Sequence, residues 1–127
     1  TNGYPIQFSI ASNTMRCWMS SNNAGSYFVN SFAASTGLQT NTWYNHVFVN
    51  RGSNDREWYL NGVSDGTNTD NGTPAASNHA AGGFRIGDWA GGGLDYDGQI
   101  SQITVYNQAH TATEVLQNYN ALKGRFE

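Results

Sequence analysis

The chain carries a single cysteine, Cys17, in 127 residues. One thiol cannot form an internal disulfide, and without a C-x-x-C pair a cysteine-held structural zinc is excluded as well. Flanked by Met15, Trp18 and Met19, Cys17 reads as a small core residue. Small extracellular domains often rely on disulfides. This one must instead be stable through sheet packing, oligomerisation or assembly into something larger. Charge is scarce too: 12% of residues are charged and the formal net charge is -3. The six basic residues, Arg16, Arg51, Arg56, Arg85, Lys123 and Arg125, are scattered. Binding a phosphate backbone needs a concentrated basic surface, so nucleic acid is excluded as a partner. Polybasic docking on a membrane is excluded for the same reason. No apolar run approaches the roughly 20 residues that span a bilayer, and no signal peptide is visible. The chain opens on Thr1 rather than Met, which reads as a processed chain or a portion of a longer one.

The polar surface is made of small uncharged residues instead. Sixteen Asn and fifteen Gly supply the chemistry of many tight turns. Four Trp, seven Tyr and six Phe are spread along the chain, which argues against disorder. The length suits one core, with about two-thirds of the unfolded surface buried.

Alternation of period two dominates the first hundred residues. Ile6, Phe8 and Ile10 alternate with Gln7 and Ser9, and Asn13 marks a turn. Met15, Cys17 and Met19 follow, then a turn at Asn22, Asn23 and Gly25, then a third strand from Tyr27 to Phe32. Trp43 to Arg51 is the strongest strand signal: Trp43, Val47 and Val49 share one face, and Tyr44, His46 and Phe48 the other. Two bulky faces predict a central strand covered on both sides. A turn at Asn54 and Asp55 leads to a strand from Glu57 to Leu60, closed by Asn61-Gly62, the favoured pair for a two-residue hairpin. Val63 starts the return. Residues 64 to 83 hold almost no large apolar side chain and read as a long loop of the kind that often carries function. Gly83 to Gly87 and Gly98 to Tyr106 read as strands, with a bulge where Ile100 and Ile103 break the alternation. Thr111 and Glu114 form a capping box that opens a helix. Val115, Leu116, Tyr119 and Leu122 make its apolar stripe, and Gly124 its C-terminal stop. The expectation is one all-β domain over 1–127. It is an antiparallel two-sheet β-sandwich with one short C-terminal helix.

Three segments, in this order, resemble the laminin-G-like, concanavalin-A-like lectin/glucanase jelly-roll family. Trp43 to Val49 followed by Trp58-Tyr59-Leu60-Asn61-Gly62 is similar to the family's W-x-H-V-x-V and Y-L-N-G strands. Phe84-Arg85-Ile86-Gly87 is similar to its F-x-I-G, and Asp97 to Asn107 with Ala109 and Thr111 to Glu114 to its closing strand and turn. Two residues separate Trp43 from His46 where the family has one; Tyr96 and His110 stand where it usually has Phe and Leu. Family domains usually run longer, with strands before the equivalent of Tyr4. The resemblance therefore implies that N-terminal strands are missing here or supplied from elsewhere, which leaves an exposed sheet edge. Residues 117–126 resemble the closing segment of such domains in tailed-phage virion proteins, which implies a capsid-decorating or tail-fibre setting.

Enzymatic relatives of this fold place carboxylates along an E-x-D-x-x-E strand, flanking the scissile bond. The only glutamates here are Glu57, Glu114 and Glu127. Asp55 lies two residues from Glu57 but in the predicted turn; Asp95 and Asp97 flank Tyr96 beside a glycine-rich turn. His46, His79 and His110 lie in different elements, and His46 reads as a hydrogen-bonded structural residue. Gly91 to Gly93 holds no serine for a nucleophile elbow, and the glycine-rich stretch does not open a helix as a phosphate loop does. The chain therefore reads as a non-enzyme. The resemblance implies calcium at the rim of the sandwich, for which Asp88, Asp95 and Asp97 are the candidates; calcium takes six to eight oxygens, and the alternative is that these residues cap turns. A glycan site needs an aromatic platform with carboxylate and amide groups around it. Asp88-Trp89 with Asp95-Tyr96 is one candidate, and Trp58 with Asn61 a second. The expected function is a recognition or adhesion module for a glycan or cell-surface ligand on a virion or extracellular surface, within an oligomer or beside neighbouring virion proteins. The alternatives are a purely structural, particle-cementing domain and, third, a glycan hydrolase.

Overall fold

The computed structural model describes residues 6–20, 27–72, 85–88, 93 and 95–125. Tyr4, Pro74, His79, Phe84, Trp89 and the first two glycines of the 91–93 turn lie outside them. Two antiparallel three-stranded sheets form. The first has the order β1 (Ile6–Ala11), β2 (Thr14–Ser20), β3 (Tyr27–Ala33). The second has the order β4 (His46–Gly52), β5 (Asp55–Leu60), β6 (Val63–Asn68). One helix, α1 (Ala112–Leu122), follows and ends in a 3-10 turn at Lys123–Arg125.

Local chemistry explains the hairpins. Ser12 and Asn13 both take positive φ, 52° and 60°, so β1 and β2 meet through a primed turn whose twist suits the strands. Asn61 and Gly62, at φ 50° and 81°, do the same between β5 and β6. Gly62 is needed for a second reason: a Cβ there would stand 2.9 Å from a Leu116 methyl and 3.1 Å from the Tyr119 ring, so the turn tucks beneath α1.

The sheets face each other across an aromatic core. Ile6, Phe8 and Ile10 pair with Met19, Cys17 and Met15, which sets one apolar face. Cys17, Met19, Val29 and Ala34 are buried against Trp58, with Met15, Phe28, Phe32 and Phe48 packed around them. On the opposite face of the second sheet, Val49 and Tyr59 are buried against Val115 of α1, with Val47 beside them. The period-two faces of β4 are thus as expected: one meets the first sheet, the other the helix. The strand is nonetheless at the edge of its sheet, not the centre, because among the described residues only β5 pairs with it. It also starts at His46; Trp43 and Tyr44 precede it, with the Tyr44 hydroxyl accepting from the Gln39 amide at 3.0 Å.

Other expectations are corrected. Residues 64–68 are strand, not loop: their pairing with Arg56 to Leu60 overrides a composition of Ser, Asp, Gly, Thr and Asn. Residues 98–106 form no strand and therefore hold no bulge, since among the described residues no ladder partner lies beside them; Ile100, Ile103 and Val105 are 48%, 49% and 81% exposed. Residues 85–88 form a bend around Gly87 at φ 75°, not a strand. The capping box of α1 is complete in both directions. Gly124 does not stop the helix in a left-handed conformation; the chain tightens into the 3-10 turn through it.

Candidate functional site

The exposed rim formed by residues 85–88 and 95–98 holds most of the candidate binding groups. The Tyr96 amide donates to the Gly87 carbonyl at 2.8 Å, and this bond draws the two segments together. Gly87 can offer that carbonyl from a positive φ that suits glycine. Tyr96 then folds over Gly98: a Cβ at 98 would come within 2.6 Å of its ring. The ring stays 44% exposed, with the exposed Asp95 and Asp97 on either side in sequence. Asp88 is held by Arg85 at 2.7 Å, both side chains nearly half exposed. The rim therefore presents an aromatic face, carboxylates and one guanidinium. Its sequence neighbour Trp89 lies outside the described residues.

The second predicted platform is not a surface. Trp58 is 1% exposed, ringed by Phe8, Phe32, Phe48 and His46, and its indole N–H donates to the Phe32 carbonyl at 3.3 Å. A ligand cannot stack on it. Asn61 is committed to the hairpin: its side-chain oxygen accepts from the Asn45 amide at 2.9 Å, and its own amide donates to the Asn45 carbonyl. The reason lies in strand parity, which turns Trp58 inward with Phe48, its partner in the ladder.

Among the described residues no group of three or more His, Cys, Asp or Glu side chains comes together as a metal site. Asp88 spends its carboxylate on Arg85. As placed, Asp88, Asp95 and Asp97 do not fit a calcium cage, which needs convergent oxygens.

One polar constellation escapes sequence reasoning. Asp55 lies on β5 rather than in a turn, so Asp55, Glu57 and Tyr59 point to the same face at period two. Arg51 of β4 reaches all three: Nη1 to Asp55 at 3.1 Å and Glu57 at 3.0 Å, Nη2 to the Tyr59 hydroxyl at 2.9 Å. Tyr59 and Ser64 donate to the Glu57 carboxylate. Desolvation works to raise Glu57, but the hydrogen bonds from Ser64, Tyr59 and Arg51 outweigh it and hold the carboxyl below the usual range. A glycosidase acid needs the opposite, a carboxyl kept protonated near neutrality. One arginine bridges both carboxylates and braces the sheet beneath α1; with Glu57 held ionised, the pair is not poised for proton transfer. The signal that could have found the cluster is Arg51, four residues before Asp55 across a hairpin.

His46 is also corrected. It is not hydrogen-bonded: both ring nitrogens are buried without a partner, and the ring packs between Tyr44 and Trp58 at 6.0 and 6.3 Å. Burial lowers its pKa, opposed by the charge of Asp65. His110 is remote, set against Tyr106 at 4.2 Å and Asn118 at 3.3 Å. Cys17 is a core residue as expected, fully buried.

Comparison with known proteins bears on the same architecture. The model of the concanavalin A-like lectin/glucanases superfamily (Laminin_G_3) matches residues 1–116. No protein of curated function matches the chain. Among solved structures, an S-layer domain-containing protein from Clostridium thermocellum is similar at 14% identity and a TM-score of 0.48, over 94% of this chain and 58% of that one. The chain thus spans little more than half the length of that structure.

Proposed function

The chain belongs to the concanavalin A-like lectin/glucanases superfamily, and from that premise we propose that it is a non-catalytic recognition module that binds a glycan or another surface ligand at the 85–98 rim. The observation that carries this reading is Tyr96: a tyrosine 44% exposed and held beside Asp88 by its backbone bond to Gly87. A sugar ring stacks its apolar face on such a platform, and its hydroxyls donate to neighbouring carboxylates while Arg85 donates to its oxygens. No proton transfer is needed, which suits a domain whose one strand-borne carboxylate pair among the described residues is tied to Arg51. The setting we propose is an outward-facing one, on a virion or another extracellular surface; the likeness of residues 117–126 to phage virion domains supports the virion form.

A second reading, a structural module that cements an assembly, is favoured by one observation. Ile103 and Val105 are 49% and 81% exposed, as apolar residues at contacts between copies would be in an isolated chain.

The deciding experiment is a glycan array probed with the purified domain, with calcium and with a chelator, alongside Tyr96→Ala. A specific signal lost in the folded variant supports recognition at the rim. A signal that survives Tyr96→Ala moves the site elsewhere, and one abolished by chelation alone assigns a cation to binding. A blank array from folded protein overturns the recognition reading in favour of the cementing one.

A further inference from the structure

An exposed tryptophan alone says little, because single apolar side chains are common at surfaces. Trp43 differs in how the chain holds it. Residues 34–45 cross from β3 to β4, and so from one sheet to the other. The outer part of this crossing is fastened at both ends. The Leu38 amide donates to the Asn13 carbonyl at 2.6 Å, in the β1–β2 turn of the first sheet. The Asn45 amide donates to the Asn61 side-chain oxygen at 2.9 Å, and the Asn61 amide donates to the Asn45 carbonyl, in the β5–β6 turn of the second. Between these anchors the tip braces itself. The Gln39 amide donates to the Tyr44 hydroxyl at 3.0 Å, closing residues 39–44 into a ring. The Thr42 hydroxyl donates to the Thr40 carbonyl at 3.4 Å. Asn41 makes the bend at a φ of 57°, a conformation that asparagine tolerates. Tyr44 packs against His46, with ring centroids 6.0 Å apart, while Trp43 stays 44% exposed.

The chemistry around Trp43 is uniform. No charged side chain occurs between Arg16 and Arg51. The other exposed residues of the tip are Gln39, Thr40, Asn41 and Thr42, two amides and two hydroxyls. Each of these groups both donates and accepts, as sugar hydroxyls do. A carboxylate, phosphate or ammonium ligand finds no counter-charge in the tip. A protein-binding hot spot draws on Arg, Met and further aromatics around its anchor; here small uncharged polar groups take those places. An aromatic face beside uncharged donors and acceptors, on a backbone that is already stiff, binds the apolar face of a sugar at little ordering cost.

We propose that the 39–44 tip is a second binding site, with Trp43 as the stacking platform for an uncharged oligosaccharide. It rests on the recognition role proposed above but shares no residue with the rim, so the two sites can fail separately. The rim carries Arg85, Asp88, Asp95 and Asp97; the tip carries no charge and selects neutral sugars.

The test is a glycan array bearing neutral, acidic and amino sugars, read over a concentration series. The probes are the wild-type chain, Trp43→Ala, Trp43→Tyr and Tyr96→Ala, each checked for fold by far-UV circular dichroism. The expected result is binding to neutral glycans that Trp43→Ala weakens by about tenfold or more, the loss of a central aromatic anchor. Trp43→Tyr should weaken it less and Tyr96→Ala not at all. Because Trp43→Tyr keeps a ring, its intermediate loss is readable even where alanine unsettles the tip. Neutral signals indifferent to both Trp43 variants overturn the proposal, as do neutral signals lost equally in the Trp43 and Tyr96 variants, which describe one continuous site. Binding to charged glycans alone overturns the tip and leaves the rim standing. A blank array from folded wild-type protein overturns both.

Discussion

Trp58 separates the two predicted roles of a tryptophan most sharply. As a platform its removal would abolish binding and leave stability alone; as a core residue it would do the reverse. The structure buries it to 1% exposure against Phe48 at 5.0 Å, Phe8 at 5.7 Å and Phe32 at 6.2 Å. Removing on the order of 200 Å² of aromatic surface from water, at about 25 cal/mol per Å², is worth at most about 5 kcal/mol. Aromatic-to-alanine changes in cores cost about 3–5 kcal/mol once the cavity is included. Trp58→Ala should therefore lose about 4 kcal/mol, which at a urea slope of about 2 kcal/mol per molar moves the midpoint down by roughly 2 M. Trp58→Phe keeps a ring in place and gives up the N–H bond to the Phe32 carbonyl, at a cost of roughly 1–2 kcal/mol. The assay is urea unfolding followed by far-UV circular dichroism, which does not depend on the deleted fluorophore. A Trp58→Ala midpoint within about 0.5 M of wild type, less than about 1 kcal/mol, would refute the core placement and with it the facing of β5.

Three further outcomes are expected. Burial keeps His46 neutral in the folded chain, against the pull of Asp65, while the unfolded chain takes up a proton below about pH 6.5. Stability should be full above that pH and fall as pH drops through it. His46→Phe should flatten the slope in urea midpoints between pH 7 and the lowered native pKa, and an unchanged slope would exclude His46 as its source. Thr111→Ala removes the side chain that accepts from the Glu114 amide and should cost about 1 kcal/mol, with faster amide exchange confined to the first turn of α1; uniform loosening would contradict a capping role. The Cys17 thiol is pushed up to about 12 by burial, against the lowering charge of Arg56, so a thiol reagent should label it only as fast as the chain unfolds; labelling of native protein at the rate of a free thiol would show that the core is open.

The elements legible in the sequence are those specified by residues close together in it. The alternation of Ile6 to Ile10 and Met15 to Met19 marks a hairpin because its turn residues tolerate positive φ. Asn61-Gly62 and Thr111 to Glu114 encode a turn and a cap within four residues. What escaped depends on partners distant in sequence. Val63–Asn68 is polar enough to read as loop, yet pairing with β5 decides its state. Residues 98–106 have the pattern of a strand, but a pattern makes a strand only where a neighbour offers a ladder. Of the candidate site, the exposure of Tyr96 was open to sequence reasoning; the bond that sets it beside Asp88 runs through backbone atoms and was not.

Arg56 shows why composition misleads at such points. Asp55-Arg56-Glu57 looks like a solvated charge cluster, and a buried arginine is costly unless its donors are met. Strand parity nevertheless turns Arg56 inward, to 1% exposure. There its two terminal nitrogens donate to the Asp70 and Gly72 carbonyls at 2.6 and 2.7 Å and its guanidinium lies 5.0 Å over the Phe28 ring, while Nε is buried without a hydrogen-bond partner. Only glycine fits at 72, since a Cβ would fall 2.4 Å from that ring. The arginine therefore ties the segment after β6 down onto the first sheet from inside the core. Residues 70–72 are thus held from inside the core by a charge whose neighbours in sequence, Asp55 and Glu57, face the other side of β5.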